Sequence, residues 1–266
     1  MYWQSRLGKK DKDAEIKEKI KSLRRKHPNY GYRRIHAMLR KQGHVINKKR
    51  TQRIYQDLGL QVKSYTRKYR RYNSYKGVVG RISPNRINRR FESNIPYQKI
   101  VTDTTEFKYY EEDKNGKLQL KKLYLDPFMD LYNLEIVSFK ITRQPNGISM
   151  LNALEEAIEK TSECKYRRTF HSDRGWAYQM PAYQNRLKEH GIFQSMSRRG
   201  NCYDNSPMEN FFGILKQEMY YGKVYRSYKE LALAITNYIK YYNEERIKEK
   251  LNWLSPVQYR ELGLAS

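Results

Sequence analysis

The chain has 266 residues, of which 54 are Lys or Arg and 28 are Asp or Glu, so its formal net charge is +26. Residues 1–90 carry 28 basic and 5 acidic side chains, whereas residues 91–266 carry 26 and 23. This asymmetry indicates a polyanion-binding front joined to a nearly balanced body. The 2 cysteines argue against a disulfide scaffold. With no membrane-length apolar run or secretory leader in the sequence, we expect a soluble, cytoplasmic protein.

The front of the chain predicts three short helices. Apolar residues recur at helical spacing from Ala14 to Leu23, a second helix is predicted over 32–42, and Asn47 can cap a third helix that begins at Lys48. We expect residues 1–62 to form a helix-turn-helix-like DNA-binding domain, with a small helical bundle of basic surface as the alternative. The candidate phosphate contacts on the third helix are Lys48, Lys49, Arg50 and Arg53.

Residues 63–98 differ in composition from both neighbouring regions. Tyrosines alternate with basic residues in the stretch YTRKYRRYNSY, and helical periodicity disappears. Tyrosine rings can stack on unpaired bases while arginines meet phosphates, so Arg67, Arg70 and Arg71 are candidate DNA contacts. The alternative is a flexible basic linker, and we expect flexibility in the free protein in either case.

Residues 99–266 are predicted to form a mixed α/β body. The predicted elements are strands over 99–110, 118–126 and 134–141, a helix over 148–160, a strand over 169–172, a helix over 181–190 and a strand over 192–196. Asn115-Gly116 is a strong hairpin signal between the first two strands. This order predicts a mixed sheet flanked by helices.

Three carboxylates stand where these elements could bring them together. Asp103 lies in the first strand region, Asp173 follows the strand over 169–172, and Glu209 lies near the start of a later helix. Carboxylates from separate elements, together with substrate phosphates, are typical ligands of Mg²⁺. Each acid has an alternative role: Asp103 as a surface acid at a strand end, Asp173 as a turn cap before Gly175, and Glu209 as part of a capping box that starts at Ser206.

Several motifs resemble those of one family, the second reading frame of the insertion-sequence-three family of bacterial transposases. They are TDTTEF, FHSDRGWAY, SMSRRGNCYDNSPMENFFGILKQE, YGYRRIHAMLRKQGHVINKKR and LSPVQYRELGL, and together they span nearly the whole chain. The resemblance implies the ribonuclease H-like fold of retroviral integrases and transposases. It also implies that Asp103, Asp173 and Glu209 are a catalytic, metal-binding triad, with 35 residues between the second acid and the third.

Basic and polar residues near the triad are further candidates. Lys216 lies seven residues after Glu209 on the predicted helix, and the resemblance implies a basic residue there that grips the phosphate next to the cleaved bond; a solvated lysine is the alternative. Arg198 and Arg199 are predicted to lie in a mobile basic loop over the site. Asn205 is predicted to orient Glu209 or a phosphate.

The remaining polar candidates receive supporting or unrelated roles. His171 is predicted to support Asp173 or simply to be buried. Asp126 and Asp130 are assigned turn roles at the end of the predicted hairpin. Glu106 is placed on the opposite face of the strand from Asp103, because side chains alternate along an extended strand.

The implied chemistry is DNA cleavage at insertion-sequence ends followed by transfer of the freed 3′-OH to a second strand. It would use two Mg²⁺ ions, with Mn²⁺ left open. The alternatives are a ribonuclease H-like nuclease that does not join strands and a non-enzymatic DNA-binding regulator. The implied partners are the element ends, target DNA, further copies of the chain, and the first-frame product of the same element, fused by ribosomal frameshifting. We expect a bacterial, nucleoid-associated location.

Overall fold

The computed structural model describes residues 11–63, 77 and 80–264. The chain divides into two compact units, Met1–Tyr65 with Ile247–Trp253, and Thr66–Arg246 with Leu254–Ser266. The late segment Ile247–Trp253 belongs to the first unit, although the predicted limits place it in the body. Arg34 Nε donates to the Ile247 carbonyl at 3.0 Å, and the Ile247 N–H donates to the Tyr30 hydroxyl at 3.0 Å.

The first unit contains the three predicted helices. They are α1 (Ala14–Lys26), α2 (Tyr32–Lys41) and α3 (Lys48–Asp57). The Asn47 side chain accepts a hydrogen bond from the Lys49 N–H at 2.8 Å, which confirms the predicted cap of α3. Ile20, Ile35 and Ile54 are fully buried between the helices. The apolar spacing therefore located both the helix starts and the buried faces.

Within the described residues of the second unit, six strands form a mixed sheet. They are β1 (Lys99–Thr102), β2 (Thr105–Glu112), β3 (Leu118–Asp130), β4 (Ile136–Thr142), β5 (Thr169–Ser172) and β6 (Phe193–Met196). Along one side, β3 pairs antiparallel with β4. Along its other side, it pairs antiparallel first with β2 and then with β1. β1 is parallel to β5, and β5 is parallel to β6. The predicted mixed sheet is confirmed.

The single strand predicted over 99–110 is wrong, because the ladder is interrupted at Asp103 and Thr104. The pairing register of β1 with β3 continues unchanged into the pairing of β2 with β3. Asp103 therefore lies opposite Pro127, and Thr104 lies opposite Asp126. Proline has no backbone N–H for a ladder hydrogen bond, so the pairing weakens at this point. The interruption separates Asp103 from regular strand structure on both sides.

Helices cover both faces of the sheet. They are α4 (Gly147–Lys160), α5 (Trp176–Gln179), α6 (Pro181–Glu189), α7 (Ser206–Leu215), α8 (Tyr228–Glu244) and α9 (Pro256–Leu264). Successive β1 residues enter different cores: Ile100 packs with Leu154 of α4, whereas Val101 packs with Phe211 of α7 and Ile235 of α8. The sheet is thus the middle layer of three. None of the helices within the described ranges is long and apolar enough to span a membrane.

Residues 80–91, which we term the anchored segment, pack against the sheet of the second unit. Ser83 Oγ donates to Gln194 Oε1 at 2.7 Å, and the Arg86 N–H donates to Ser195 Oγ at 2.9 Å. Ile87 is buried in the core shared with α7 and α8. The prediction of flexibility is therefore wrong for this part of the linker.

The Asp204 carboxylate fixes the anchored segment to the loop that precedes α7. Its side chain is fully buried and accepts three hydrogen bonds of 2.9 Å from the Arg198 N–H, Nε and Nη2. Arg89 Nε donates at 2.9 Å and Asn85 Nδ2 at 3.1 Å. These bonds, those of Arg198 foremost, lower the pKa of Asp204 and keep it charged.

The His171 imidazole joins β5 to β6 and to the same loop. Nδ1 lies 2.8 Å from Ser195 Oγ, and Nε2 lies 2.8 Å from the Asp204 carbonyl oxygen and 3.2 Å from Ser197 Oγ. Burial of the ring lowers the pKa of His171 to about 4. The ring is therefore neutral at physiological pH, with Nε2–H as the tautomer that donates to the carbonyl.

Replacement of Asp204 by Asn is expected to loosen both structures that it holds. The charged acceptor of hydrogen bonds from Arg198 and Arg89 would be lost, so we expect a decrease of about 2 kcal/mol in the free energy of unfolding. Trypsin should then cleave the anchored segment at Arg86, Arg89 or Arg90 under native conditions. Urea titration and timed proteolysis measure the two effects. Glu189→Gln, which removes an exposed partner of Arg186, should change stability by less than about 0.5 kcal/mol.

His171 is expected to make the protein sensitive to mild acid. Its folded-state pKa of about 4 lies below the ordinary 6.5, so its contribution is present above pH 6.5 and is lost as pH falls towards 4. Linkage gives a loss of roughly 2 kcal/mol between pH 7.5 and pH 5. Urea unfolding at both values should show a stability change from pH 7.5 to pH 5 that is about 2 kcal/mol less favourable in the wild type than in His171→Gln. The difference isolates the imidazole, because the buried aspartates with raised pKa values respond in the opposite direction in both proteins. His190→Gln, at an exposed position, should behave like the wild type.

Candidate active site

Two of the predicted acids lie side by side at one edge of the sheet. β1 and β5 are parallel neighbours, and Asp103 and Asp173 directly follow their carboxyl ends. Burial, followed by the charge of Asp173, raises the pKa of Asp103 well above its usual range. Burial likewise raises the pKa of Asp173. The strand pairing therefore creates a site where two carboxylates repel each other.

Backbone N–H groups orient both carboxylates through their Oδ1 atoms. Thr104 N–H donates to Asp103 Oδ1 at 2.8 Å, and Gly175 N–H donates to Asp173 Oδ1 at 2.8 Å. A Cβ atom at position 175 would lie only 2.9 Å from Asp173 Oδ1. Glycine at this position leaves room for the acid in its observed orientation.

Glu209, a residue of α7, borders the same site. The helix begins at Ser206 with Asn205 as its N-cap, and no side-chain cap hydrogen bond is made. Glu209 is thus the fourth helical residue, one beyond the third position that a capping box requires, so that alternative does not describe this helix. Glu209 and Asp103 line one cavity of about 290 Å³, and the charge of Glu209 contributes to the raised pKa of Asp103.

Lys216 places a positive charge in the same cavity. It begins a π-helical turn, Lys216–Tyr220, that continues α7. Its Nζ donates to Thr105 Oγ1 at 2.7 Å and lies 5.0 Å from the centroid of the Phe107 ring. The predicted shared face of Glu209 and Lys216 is retained, although the regular α-helix ends one residue before the lysine.

Asp126 is an acid of this site that the sequence reasoning missed. The predicted turn role is wrong, because Asp126 lies within β3 and is 3% exposed. Its Oδ1 accepts from the Thr104 hydroxyl at 2.6 Å, and its charge adds to the raised pKa of Asp103. The signal that could have located it is the hairpin register from Asn115-Gly116, which carries β3 past position 126.

The other two acids considered near the first strand have separate partners. Glu106 forms an ion pair with Lys122 at 2.9 Å, on the opposite side of the strand as predicted. Asp130 accepts from the N–H groups of Tyr97 at 2.8 Å and Tyr132 at 3.1 Å. Asp130 thus has the predicted turn role at the end of β3.

Two polar side chains border the acids from neighbouring elements. Asn205 Nδ2 donates to the Thr102 carbonyl at 3.0 Å, which ties the start of α7 to the end of β1. The Tyr178 hydroxyl is buried without a hydrogen-bond partner among the described residues. Burial, and after it the charges of Asp103 and Asp173, raise the pKa of Tyr178 well above its usual range. Sequence reasoning identified Asn205 but not Tyr178.

The predicted DNA-contact residues lie in different settings. Lys48 and Lys49 are exposed in the first turn of α3, and Arg199 is exposed next to Gly200. Arg198 is bound to Asp204, as described above. Arg50 Nε and Arg53 Nη2 donate to Asp13 at 2.9 and 2.6 Å. Arg67, Arg70 and Arg71 lie outside the described residues.

The acids around Asp103 provide only oxygen donors, which are those preferred by hard divalent cations. Within the described ranges, no group of three or more His, Cys, Asp or Glu residues forms a ready metal cluster. The repulsion that raises the pKa of Asp103 is nevertheless the condition that a bound cation relieves. The donor set fits such an ion in chemistry and in charge.

Models of known families match three parts of the chain. Those described as integrase core domain match residues 93–202 and 209–264, and one described as HTH-like domain matches residues 10–69. An uncharacterized transposase-like protein of Haemophilus influenzae is 48% identical over 82% of this chain and 95% of its own length. The transposase InsK assigned to insertion sequence element IS150 of Escherichia coli is 42% identical over 97% of this chain and 87% of its own length. Transposase InsF for insertion sequence IS3A of the same species is 30% identical, over 92% and 82%.

Among solved structures, the chain is similar in fold to the simian T-cell lymphotropic virus intasome, determined by cryo-EM in complex with PP2A regulatory subunit B56 gamma. The TM-score is 0.50 at 15% identity, covering 91% of this chain and 73% of that chain. The fold agrees with the ribonuclease H-like architecture implied by the motifs. By the extent of its identity to insertion-sequence transposases, the chain belongs to the insertion-sequence-three family of transposases and carries an integrase catalytic core.

Proposed function

We propose that Asp103, Asp173 and Glu209 are the catalytic residues of this transposase and its ligands for divalent metal ions. Members of the family are polynucleotidyl transferases, which cut DNA at element ends and join the product to a target. The observation that carries the assignment is the pair of strand-end carboxylates with raised pKa values, next to a glutamate that lines the same cavity as Asp103. Like charges placed together in a partly buried site are typical of metal and catalytic centres.

The cofactor that fits these residues best is Mg²⁺, as two ions, and Mn²⁺ takes the same oxygen donors. When bound, such ions supply positive charge to the phosphate and lower the pKa of water. The chain itself contributes the fixed carboxylates, whose orientation is set by the N–H groups of Thr104 and Gly175. No side-chain nucleophile is required, because positioning and charge stabilisation carry most of the catalysis in phosphoryl transfer.

The reaction has two balanced substitutions at phosphorus. In cleavage, a water oxygen loses a proton and bonds to the phosphorus at the element end, while the bond from that phosphorus to the 3′ oxygen of the element breaks and this oxygen takes up a proton. In joining, the freed 3′-OH loses its proton as its oxygen bonds to a target phosphorus, and the 3′ oxygen of the target leaves that phosphorus and takes up a proton. The Lys216 ammonium, held at Thr105, would pair with a phosphate oxygen next to the reacting phosphorus.

In the same proposal, basic residues outside this cavity bind the DNA. Lys48 and Lys49 lie in the first turn of α3, where the helix dipole also favours phosphate. Arg50 and Arg53, positioned by Asp13, extend this surface. Arg198 and Arg199 would contribute from the loop before α7, and Arg67, Arg70 and Arg71 from the basic linker.

Two partners besides DNA belong to the proposal. The first is the first-frame product of the same element, joined by frameshifting, which the motif resemblance supports. The second is further copies of the chain, assembled on DNA. His171 and Asn205 are positioning residues in this scheme, because His171 connects β5 to the loop before α7 and Asn205 connects the start of α7 to the end of β1.

Asp103→Asn, Asp173→Asn and Glu209→Gln are each expected to reduce cleavage and strand joining by about 10³-fold or more, since each removes a charge from the reacting centre. DNA affinity should change by no more than about twofold, because the acids do not attract phosphates. Cleavage and joining are followed on labelled element-end duplexes. Glu106→Gln is the matched control and should keep activity. Wild-type rates in any of the three variants would remove that acid from the mechanism, and cleavage without joined product would favour the nuclease alternative.

Mg²⁺ is expected to raise the thermal midpoint of the wild-type protein without any DNA present. A ligand at about 100 times its dissociation constant stabilises by about 2.7 kcal/mol. Asp103→Asn should lose most of the Mg²⁺ response, while Glu106→Gln should retain it. Differential scanning fluorimetry with Mg²⁺, Mn²⁺ and a chelator measures the effect. An equal Mg²⁺ response in wild type and Asp103→Asn would place the ion elsewhere.

A further inference from the structure

A second, cationic cavity lies at the opposite edge of the same sheet. Its volume is about 270 Å³, and its lining residues are Arg86, Ile87, Arg90, Gln98, Lys99, Arg167 and Thr169. Lys99 and Thr169 are the first residues of β1 and β5, whereas the catalytic acids follow the last residues of these strands. Asp103 lies four positions after Lys99 along β1, and at the rise of an extended strand this separates the two sites by roughly 13 Å.

The cavity is lined by four basic side chains and by no acid. Across the described part of the chain, none of these four cations takes part in a salt bridge. Other basic side chains of this unit have carboxylate partners, as in Arg198–Asp204, Arg246–Glu218 and Arg260–Glu135. The cationic cavity is thus a concentration of positive charge that the fold leaves without compensation.

Interactions with uncharged groups hold these side chains in place. The guanidinium carbons of Arg86 and Arg167 lie 4.2 and 4.3 Å from the centroid of the Phe193 ring. Arg90 donates to the carbonyls of Ile87 at 3.2 Å and Arg86 at 3.1 Å. Lys99 Nζ donates to the Glu92 carbonyl at 2.7 Å. Side chains that are already ordered lose less conformational entropy when an anion binds.

We propose that this cationic cavity binds a backbone phosphate of DNA at a position separate from the catalytic cavity. Guanidinium groups match phosphate oxygens with paired hydrogen bonds, and three of the four basic residues are arginines. DNA is the polyanion on which the family acts, and Arg86 and Arg90 continue the basic front of the chain. The inference rests on the DNA substrate alone and is independent of the roles given to the acids.

The test is the salt dependence of DNA binding by Arg90→Gln/Arg167→Gln. With a short random-sequence duplex, affinity should fall about tenfold, and the slope of log K against log salt should decrease by about 1 to 2, as for the loss of one or two phosphate contacts. Arg186→Gln removes one exposed arginine that is paired with Glu189 and should leave the slope unchanged. The double variant Arg90→Lys/Arg167→Lys keeps both positive charges and should restore most of the salt slope.

Cleavage at saturating DNA separates this proposal from the assignment of the acids. Arg90→Gln/Arg167→Gln should retain the wild-type rate under that condition, because it loses affinity and not chemistry. An unchanged salt slope, or an equal decrease in Arg186→Gln, would overturn the proposal. So would a variant that loses binding to polyglutamate but keeps its affinity for duplex DNA, since that result would point to an acidic protein partner.

A measurement on the wild-type protein keeps the inference testable if the double variant does not fold. Phenylglyoxal modifies accessible arginines, and peptide mass spectrometry reports the modification at each position. Saturating duplex DNA should protect Arg90 and Arg167. Full modification of both arginines at saturating DNA would show that the cavity is empty in the complex.

Discussion

The parallel pairing of β1 with β5 is the constraint on which the rest of the structure depends. It brings Asp103 and Asp173 to one sheet edge, where burial and repulsion raise their pKa values. Such repulsion opposes folding, and the apolar packing on both faces of β1 compensates for it through Ile100 and Val101. The same pairing aligns the opposite strand ends and brings Lys99 and Arg167 to the second cavity, where Arg86 and Arg90 of the anchored segment join them. One pair of strands thus separates a group of acids from a group of cations, to which the two proposals assign chemistry and substrate binding.

The features that could be predicted from the sequence are those determined by local interactions. The starts of α1 to α3 follow from apolar spacing and from the side chain of Asn47, which caps its own helix. The strand that ends just before Asp173 follows from a short β-prone run. The order of strands and helices, together with the motifs, was sufficient for the fold class. Whether the three acids act as assigned stays a prediction.

The features that could not be predicted depend on residues distant in the sequence. The interruption after β1 reflects Pro127 on the partner strand, and the burial of Asp126 reflects the register of that strand. The anchored segment looked like a linker because its own residues are basic and polar. Its partners, Ser195 and Asp204, lie more than a hundred residues further on. No local pattern in the segment itself indicates these contacts.

The place of Ile247–Trp253 in the helical unit has a consequence for biosynthesis. Helices α1 to α3 leave the ribosome well before the segment that accepts a hydrogen bond from Arg34 and donates one to Tyr30, because Ile247 lies 213 positions after Arg34. The packing of the helical unit is therefore completed only after all six described strands of the sheet have been translated. During that interval the body can fold first, although N-terminal domains generally fold ahead of later ones.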